Sequence, residues 1–450
     1  MSRRADVVVI GAGIAGVSVA YHLAVKHGVN RAVLVDPRPP LTLTSDKSTE
    51  CYRNWWPSRD MVGLMNRSID LLEKMAADSG NVFELNRRGY LFVTGDDERF
   101  HRMVEEAYHI SALGAGPVRL HPGPIAYRHS PGQGFDGAPE GADVLVGPEE
   151  VLEHFPYLTA RATGAIHVRR AGWFSAQQLG AWMLAQARER GLEVIADEVT
   201  RIEVAGEEVR SVTLAGGGTI AAGAVVVAAG PMSGSVAAMA GVDLPLFSEL
   251  HLKVAFRDHL DVIPRHAPMI IWSDPQHLQW TEEERRALAE QGRADLLGEM
   301  PVFCHGRPEG GAESPYLLAL WEYHGRVQDP VWPLPDDPLY PEVVMRGLTT
   351  MVPGLRAYAD RLPRSVVDGG YYTKTVENRP LLGPAGPDGL HLAAGMSGFG
   401  MMAAAGAGDL VARHVIGADL PDHAGAFLLS RYQDADYMSS LTAGAGTGQL

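Results

Sequence analysis

The first 36 residues constrain this chain most. Residues 5–10 read as a buried strand, and Gly11-Ala12-Gly13-Ile14-Ala15-Gly16 follows without a gap. Residues 17–25 continue as an apolar helical run, residues 31–35 read as a second strand, and Asp36 stands at its end. A G-x-G-x-x-G run between strand and helix, with an acid about 20 positions on, is the dinucleotide-binding arrangement. Gly11 permits a tight turn, Gly13 lets the backbone approach a pyrophosphate, and Gly16 lets the helix lie close to the sheet. The helix N-terminus offers free N–H groups and partial positive charge to phosphates. Asp36 can accept hydrogen bonds from ribose hydroxyls. The bland alternative is an ordinary βαβ unit, but three glycines and an acid in register exceed what packing alone requires.

Bulk properties narrow the function classes. A chain of 450 residues buries a large core and divides into two domains. The net charge of −15 repels a phosphate backbone, so nucleic acid is not an expected partner. Two cysteines, Cys51 and Cys304, fit a reducing compartment rather than a disulfide framework. The 17 histidines show no metal-ligand spacing, and no metal is expected. Arg3 and Arg4 before an apolar stretch resemble a secretion signal, but cleavage there would destroy the glycine run. No apolar run reaches the ~18 residues of a membrane span, so the expectation is a soluble, cytoplasmic protein.

The nucleotide-binding unit reads as an assembly of separated pieces. Residues 175–190 are helical, 192–195 a strand, and 199–204 with 208–214 a hairpin. Residues 224–229 form a β-branched run ending at Gly230, as a central parallel strand does. Residues 390–394 form another buried strand, followed by Gly395-Met396-Ser397-Gly398-Phe399-Gly400 and a helix over 401–415. Between these pieces, 114–147 reads as Gly- and Pro-rich loop, and 247–256 and 316–322 read as strands. Thr281 opens a charged helix to about residue 297 through a capping box. The tail, 442–450, reads as a loose end despite its glycines. The fold class is therefore α/β: a Rossmann-type domain with an inserted α+β domain on a mixed or antiparallel sheet. The boundaries are 1–95, 164–245 and 365–425 for the first, 96–163 and 246–364 for the second, and 426–450 as a C-terminal extension.

Two further stretches point to a family. Asp368-Gly369-Gly370-Tyr371-Tyr372-Thr373-Lys374-Thr375-Val376-Glu377-Asn378-Arg379-Pro380-Leu381-Leu382-Gly383-Pro384 is followed by Leu390-His391-Leu392-Ala393-Ala394 and the glycine-rich turn. With the N-terminal run, they resemble the FAD-dependent D-amino-acid oxidase superfamily, in the branch of sarcosine oxidase, glycine oxidase and dimethylglycine dehydrogenase. The resemblance implies bound FAD, hydride transfer to the flavin from a carbon next to nitrogen, and an imine product that hydrolyses. It implies that Gly11, Gly13, Ile14, Ala15, Gly16, Asp36, Pro37 and Arg38 hold the ADP part, with Ser48 and Thr49 at the pyrophosphate. It places a backbone group of Val199 near adenine, Ala229, Gly230 and Gly395 along the cofactor, and Gly398, Phe399, Gly400 and Met401 beneath the flavin edge. Departures are informative. Gly370 stands where monomeric sarcosine oxidase has the cysteine that attaches flavin, so FAD is expected to be non-covalent there. Met402 replaces a carboxylate-binding lysine, Phe399 replaces a histidine, and Glu50 stands where an arginine is usual.

The candidate catalytic residues follow. Arg53 can clamp a carboxylate through paired hydrogen bonds, against a structural ion pair with Glu50. Glu50 can receive an ammonium or orient Arg53, and Trp55 and Trp56 can wall a pocket or simply pack. His251 and Lys253 share one face of an alternating strand that either lines the substrate chamber or meets solvent. Lys374, beside Tyr371, is a candidate flavin or substrate contact. Trp321, Glu322 and Tyr323 end a strand and are candidates to enter the pocket, whereas Cys51 reads as a small buried residue and the adjacent Cys304–His305 pair does not by itself make a nucleophile and base. The leading reading is oxidation of the CH–NH bond of an amino acid or N-alkyl amino acid, with oxygen or an electron carrier as final acceptor. Three alternatives stay open: a flavin oxidase of a hydroxy acid, a flavin-binding assembly factor or electron-transfer subunit, and a flavin hydroxylase using a nicotinamide cofactor.

Overall fold

The computed structural model describes residues 3–311, 313–323, 325–358 and 361–441; the tail at 442–450 lies outside the described residues. The β-branched runs assemble one eight-stranded sheet. Its main path runs Val199–Ala205, Glu208–Leu214, Thr219–Val227, Arg3–Ile10, Ala32–Val35, Glu193–Ile195. Leu390–Ala394 pairs in parallel with Thr219–Val227 and antiparallel with Leu381–Pro384. The central strands are parallel and buried on both faces, which is why they read as unbroken apolar runs. Val7, Val9 and Leu34 face the helices Ile14–Tyr21 and Gly400–Ile416, while Val8, Ile10, Val33 and Val35 join a second cluster behind.

The second sheet has nine strands, in the order Ser365–Lys374, Phe247–Arg257, Tyr316–Leu320, Cys304–Glu309, Met269–Trp272, Tyr90–Thr94, Gly164–Val168, Ala142–Val146, Val118–His121. Most pairings are antiparallel, but Met269–Trp272 with Tyr90–Thr94 and Val118–His121 with Ala142–Val146 are parallel. The helix Tyr340–Met351 buries Val343, Val344, Leu348 and Met351 in the core behind this sheet. Three of its strands, Tyr90–Thr94, Gly164–Val168 and Ser365–Lys374, come from stretches that the sequence reading groups with the nucleotide-binding unit.

Local differences have physical reasons. The stretch 114–147, read as loop, contains the strands Val118–His121 and Ala142–Val146. Val118–His121 is an edge strand, whereas Ala142–Val146 is buried and paired on both sides, and the Gly and Pro content between them masks the pattern. The charged helix ends at Glu290, because Gly292 turns the chain at φ +75°, and only a short 3-10 turn follows at Ala294–Leu297. The first α-helix stops at Tyr21 and widens into a π-turn over His22–Lys26. Among the described residues, no helix is long and apolar enough to cross a membrane.

Candidate active site

The glycine run sits where two main-chain segments nearly touch. Gly11 has φ +105°, and a Cβ there would lie 2.4 Å from the Ala228 carbonyl oxygen; a Cβ on Gly16 would lie 1.9 Å from that of Gly11. The Asp36 carboxylate locks the turn by accepting from the Ala12 and Arg38 N–H groups, each at 2.8 Å. Ser45 caps the helix from outside its sequence neighbourhood, its hydroxyl accepting from the Ile14 N–H at 2.9 Å.

From this turn a cleft of about 960 Å³ runs along the strand ends. Gly11, Gly13, Ile14, Ala15, Asp36, Arg38, Ser48, Ala229, Gly230, Gly395, Gly398, Gly400 and Met401 line it. The sequence reading did not single out Thr42, Leu43, Thr44, Ser45, Met232 or Ser397, which also line it. Thr42-Leu43-Thr44-Ser45 is a polar run just upstream of Ser48, and its composition is the signal available. Leu43 and Ser397 hold left-handed backbone at φ 56° and 46°, strain that concentrates at ligand sites. The Ser397 hydroxyl is buried and lacks a hydrogen-bond partner within the chain. A cleft walled by glycines, with the first turns of two helices and an unsatisfied hydroxyl in its lining, fits an extended dinucleotide such as FAD. Gly16, Pro37, Thr49, Val199, Gly370 and Phe399 are not among the residues lining it: Gly16 lies behind it against Gly11, Thr49 and Phe399 line an adjoining chamber, Val199 is buried at the start of an edge strand, and Gly370 pairs with His251 in the second sheet.

A second chamber of about 510 Å³ shares Tyr372, Ser397 and Gly398 with the cleft. Arg53, Trp56, Tyr90, His305, Glu322 and Phe399 build its walls, with Thr49, Cys51, Met269, Leu320, Asn378 and Met402. Arg53 is buried, its guanidinium 4.6 Å from the Trp56 ring centre, and Trp56 meets Phe399 edge-on at 5.2 Å. Burial pulls the Arg53 pKa below its ordinary value. His305 donates from Nδ1 to the Phe303 carbonyl at 2.7 Å, since a carbonyl only accepts. Burial lowers its pKa, so the neutral ring leaves Nε2 as an acceptor.

The other candidates stand elsewhere. Glu50 points away from the chamber: its carboxylate accepts from the Ala176 N–H at 2.7 Å and caps the helix Ala176–Glu189. Lys253 donates to the Ser48 carbonyl at 2.8 Å, and burial lowers its pKa. Lys374 pairs with Glu249 at 2.5 Å. His251 stacks on Tyr372, ring centres 3.9 Å apart, with Glu322 at 2.8 Å from Nδ1 and Glu249 at 3.3 Å from Nε2. Trp321 and Tyr323 turn away, bonding to the Pro301 carbonyl and to Asp337. Among the described residues, no group of three or more His, Cys, Asp or Glu side chains could hold a metal ion.

Known proteins share this plan. Residues 6–414 match the family described as DAO, FAD dependent oxidoreductase. Over 280 residues the chain is 26% identical to the beta subunit of sarcosine oxidase from an Arthrobacter species, covering 57% of this chain and 62% of that subunit, so less than two thirds of its length. The L-proline dehydrogenase structure from P. horikoshii superposes with a TM-score of 0.73 at 21% identity, covering 96% of this chain and 99% of that one. Glycine oxidase from Geobacillus kaustophilus gives a TM-score of 0.73 at 18% identity, with coverage of 96% and 99%. Likeness at such identities speaks to the fold; the family match across most of the chain decides membership. The chain belongs to the DAO family of FAD-dependent oxidoreductases.

Proposed function

We propose that this protein binds FAD without a covalent link and oxidises the CH–NH bond of a small amino acid or N-alkyl amino acid, giving an imine that water hydrolyses. The observation that supports this most is the chamber holding Arg53 and Glu322, which opens onto the cleft through Tyr372, Ser397 and Gly398. In this reading the segments 1–95, 164–245 and 365–425 serve the cofactor, except that their strands Tyr90–Thr94, Gly164–Val168 and Ser365–Lys374 join 96–163 and 246–364 in the roof over the substrate, and 426–450 is an extension.

Bound FAD would supply the two-electron acceptor for a hydride. The chain supplies placement and a dry enclosure. Arg53 presents paired N–H groups to a substrate carboxylate. Trp56, Tyr90, Tyr372 and Phe399 exclude water and confine the substrate's carbon atoms. The helix Gly400–Ile416 begins at the cleft wall, so its positive end stabilises negative charge that builds up there. The final electron acceptor, oxygen or a carrier, is a separate choice.

Anaerobic mixing of the FAD-loaded protein with a panel of amino acids, N-alkyl amino acids and the matching hydroxy acids tests this. Bleaching of the flavin absorbance by an amine member is the expected result. Bleaching by hydroxy acids alone, or a colourless protein that cannot be reconstituted with FAD, overturns it.

A further inference from the structure

Behind the chamber wall lies a row of four ionisable side chains. Glu322 lines the chamber just past the end of the strand Tyr316–Leu320. His251, on the neighbouring strand, touches Glu322 at 2.8 Å and Glu249 at 3.3 Å. Lys374, on the next strand, closes the row on Glu249 at 2.5 Å. The groups facing His251 are therefore Glu249 on its own strand, Glu322 on one side, and Tyr372 and Lys374 on the other. Ionised carboxylates only accept, so a carboxylate at each ring nitrogen favours the imidazolium form. Burial alone pulls the His251 pKa down, but the hydrogen bonds to Glu249 and Glu322 outweigh it and the net shift is upward. Two negative and two positive groups then alternate. Such a row holds a carboxylate at an enclosed chamber wall without leaving a lone buried charge.

We infer that Glu322 is the catalytic residue that faces the substrate's nitrogen, with His251 as its positioning residue, anchored in turn by Glu249 and Lys374. This rests on the amine-oxidising reading above and deepens it. Bound FAD would supply the oxidant, so as the C–H bond breaks its electron pair would leave with the hydride. The nitrogen lone pair becomes the π bond of C=N, and the nitrogen acquires a positive charge. A carboxylate facing that atom gains more against the cationic product side than against the neutral amine, which is differential stabilisation. A hydroxy acid offers no such cation, so the arrangement selects nitrogenous substrates.

The test uses the FAD-loaded protein and two ligands of nearly equal shape, neither of which can be oxidised. 2-Aminoisobutyrate bears an amine but no hydrogen on its α-carbon; pivalate has a methyl group in place of that amine. Binding is read from the perturbed flavin absorbance. The wild type is expected to prefer 2-aminoisobutyrate, and Glu322→Gln to weaken that ligand by about tenfold or more while leaving pivalate unchanged. Glu322→Asp, which keeps the charge, restores part of the preference and serves if Glu322→Gln fails to fold. His251→Leu and His251→Gln are both neutral, but Gln retains a donor for Glu322. Preference lost in the first and largely kept in the second supports the positioning role; equal loss in both overturns it. A wild type with no preference for the amine, or a Glu322→Gln variant in which both ligands weaken alike, overturns the assignment of Glu322. If the preference and its dependence on Glu322 hold but no amine bleaches the flavin, the nitrogen contact stands and the amine-oxidising reading falls.

Discussion

Gly13 and Arg53 show how much one position can decide. Gly13 caps the first helix with extended backbone, and its nearest outside neighbour would be the Ser45 hydroxyl, 3.1 Å from an added Cβ. Space is therefore tight but not closed, and charge becomes the issue. Gly13→Asp places an anion at a helix N-terminus where phosphates would lie, so the expected outcome is a folded, colourless protein, while Gly13→Ala keeps part of its FAD. The ratio of flavin to protein absorbance decides it; a yellow Asp variant removes Gly13 from the phosphate site. Arg53 is argued on different grounds. Hydrogen bonds to charged groups are worth about 1.5–3 kcal/mol, so Arg53→Met is expected to raise KM for a carboxylate substrate by about 10- to 150-fold. The fold should survive, because the methionine can still cover Trp56. Unchanged steady-state kinetics would take Arg53 out of substrate binding.

At the scale of elements, the two helices that open onto the cleft are clamped to each other. Gly408, in the helix Gly400–Ile416, lies against Ser18 of the helix Ile14–Tyr21, and an added Cβ would come within 2.2 Å of the Ser18 hydroxyl oxygen and 2.8 Å of its backbone carbon. The Ser18 hydroxyl meanwhile donates to the Ala404 carbonyl at 2.7 Å, so the contact is both steric and polar. Backbone on one side cannot move aside, and overpacking of this kind costs about 1–3 kcal/mol. Gly408→Ala should therefore lower the unfolding midpoint in urea and weaken FAD retention together, since both helix N-termini shift. A variant with wild-type stability would show that the helices can separate without cost. Why these helices were legible in the sequence, and the chamber less so, is also a matter of elements. A glycine run next to a β-branched run is a local signal. Met269 meets Tyr90 only through the register of strands far apart in the chain, and no window of sequence holds both. Glu322 was visible as a strand end, but its ties to His251 and Glu249 depend on three strands lying side by side.

The whole molecule couples acidity to cofactor retention through its buried imidazoles. Burial pulls the His22 pKa down to about 3 and that of His391 to about 4, and lowers those of His167 and His305 as well. A depressed imidazole pKa means that the native state binds fewer protons than the unfolded chain below about pH 6.5. These groups then contribute stability that is complete above about pH 6.5 and is lost as pH falls toward the native values near 3 and 4. His251 has the opposite sign: its raised pKa adds stability that is complete below about pH 6.5 and is lost as pH climbs through the native value, so it leaves the acid side unchanged. The balance favours acid unfolding, with the midpoint in urea falling steadily below about pH 6.5. Both cysteines are buried, neither lines the nucleotide cleft, and Gly370 offers no thiol, so unfolding in acid should leave FAD in the filtrate and a white pellet. A stability curve flat across that range would mean that the imidazoles find proton partners on unfolding that cancel the effect. Yellow colour remaining in the pellet would mean that a side chain other than a cysteine at position 370 holds the flavin by a bond.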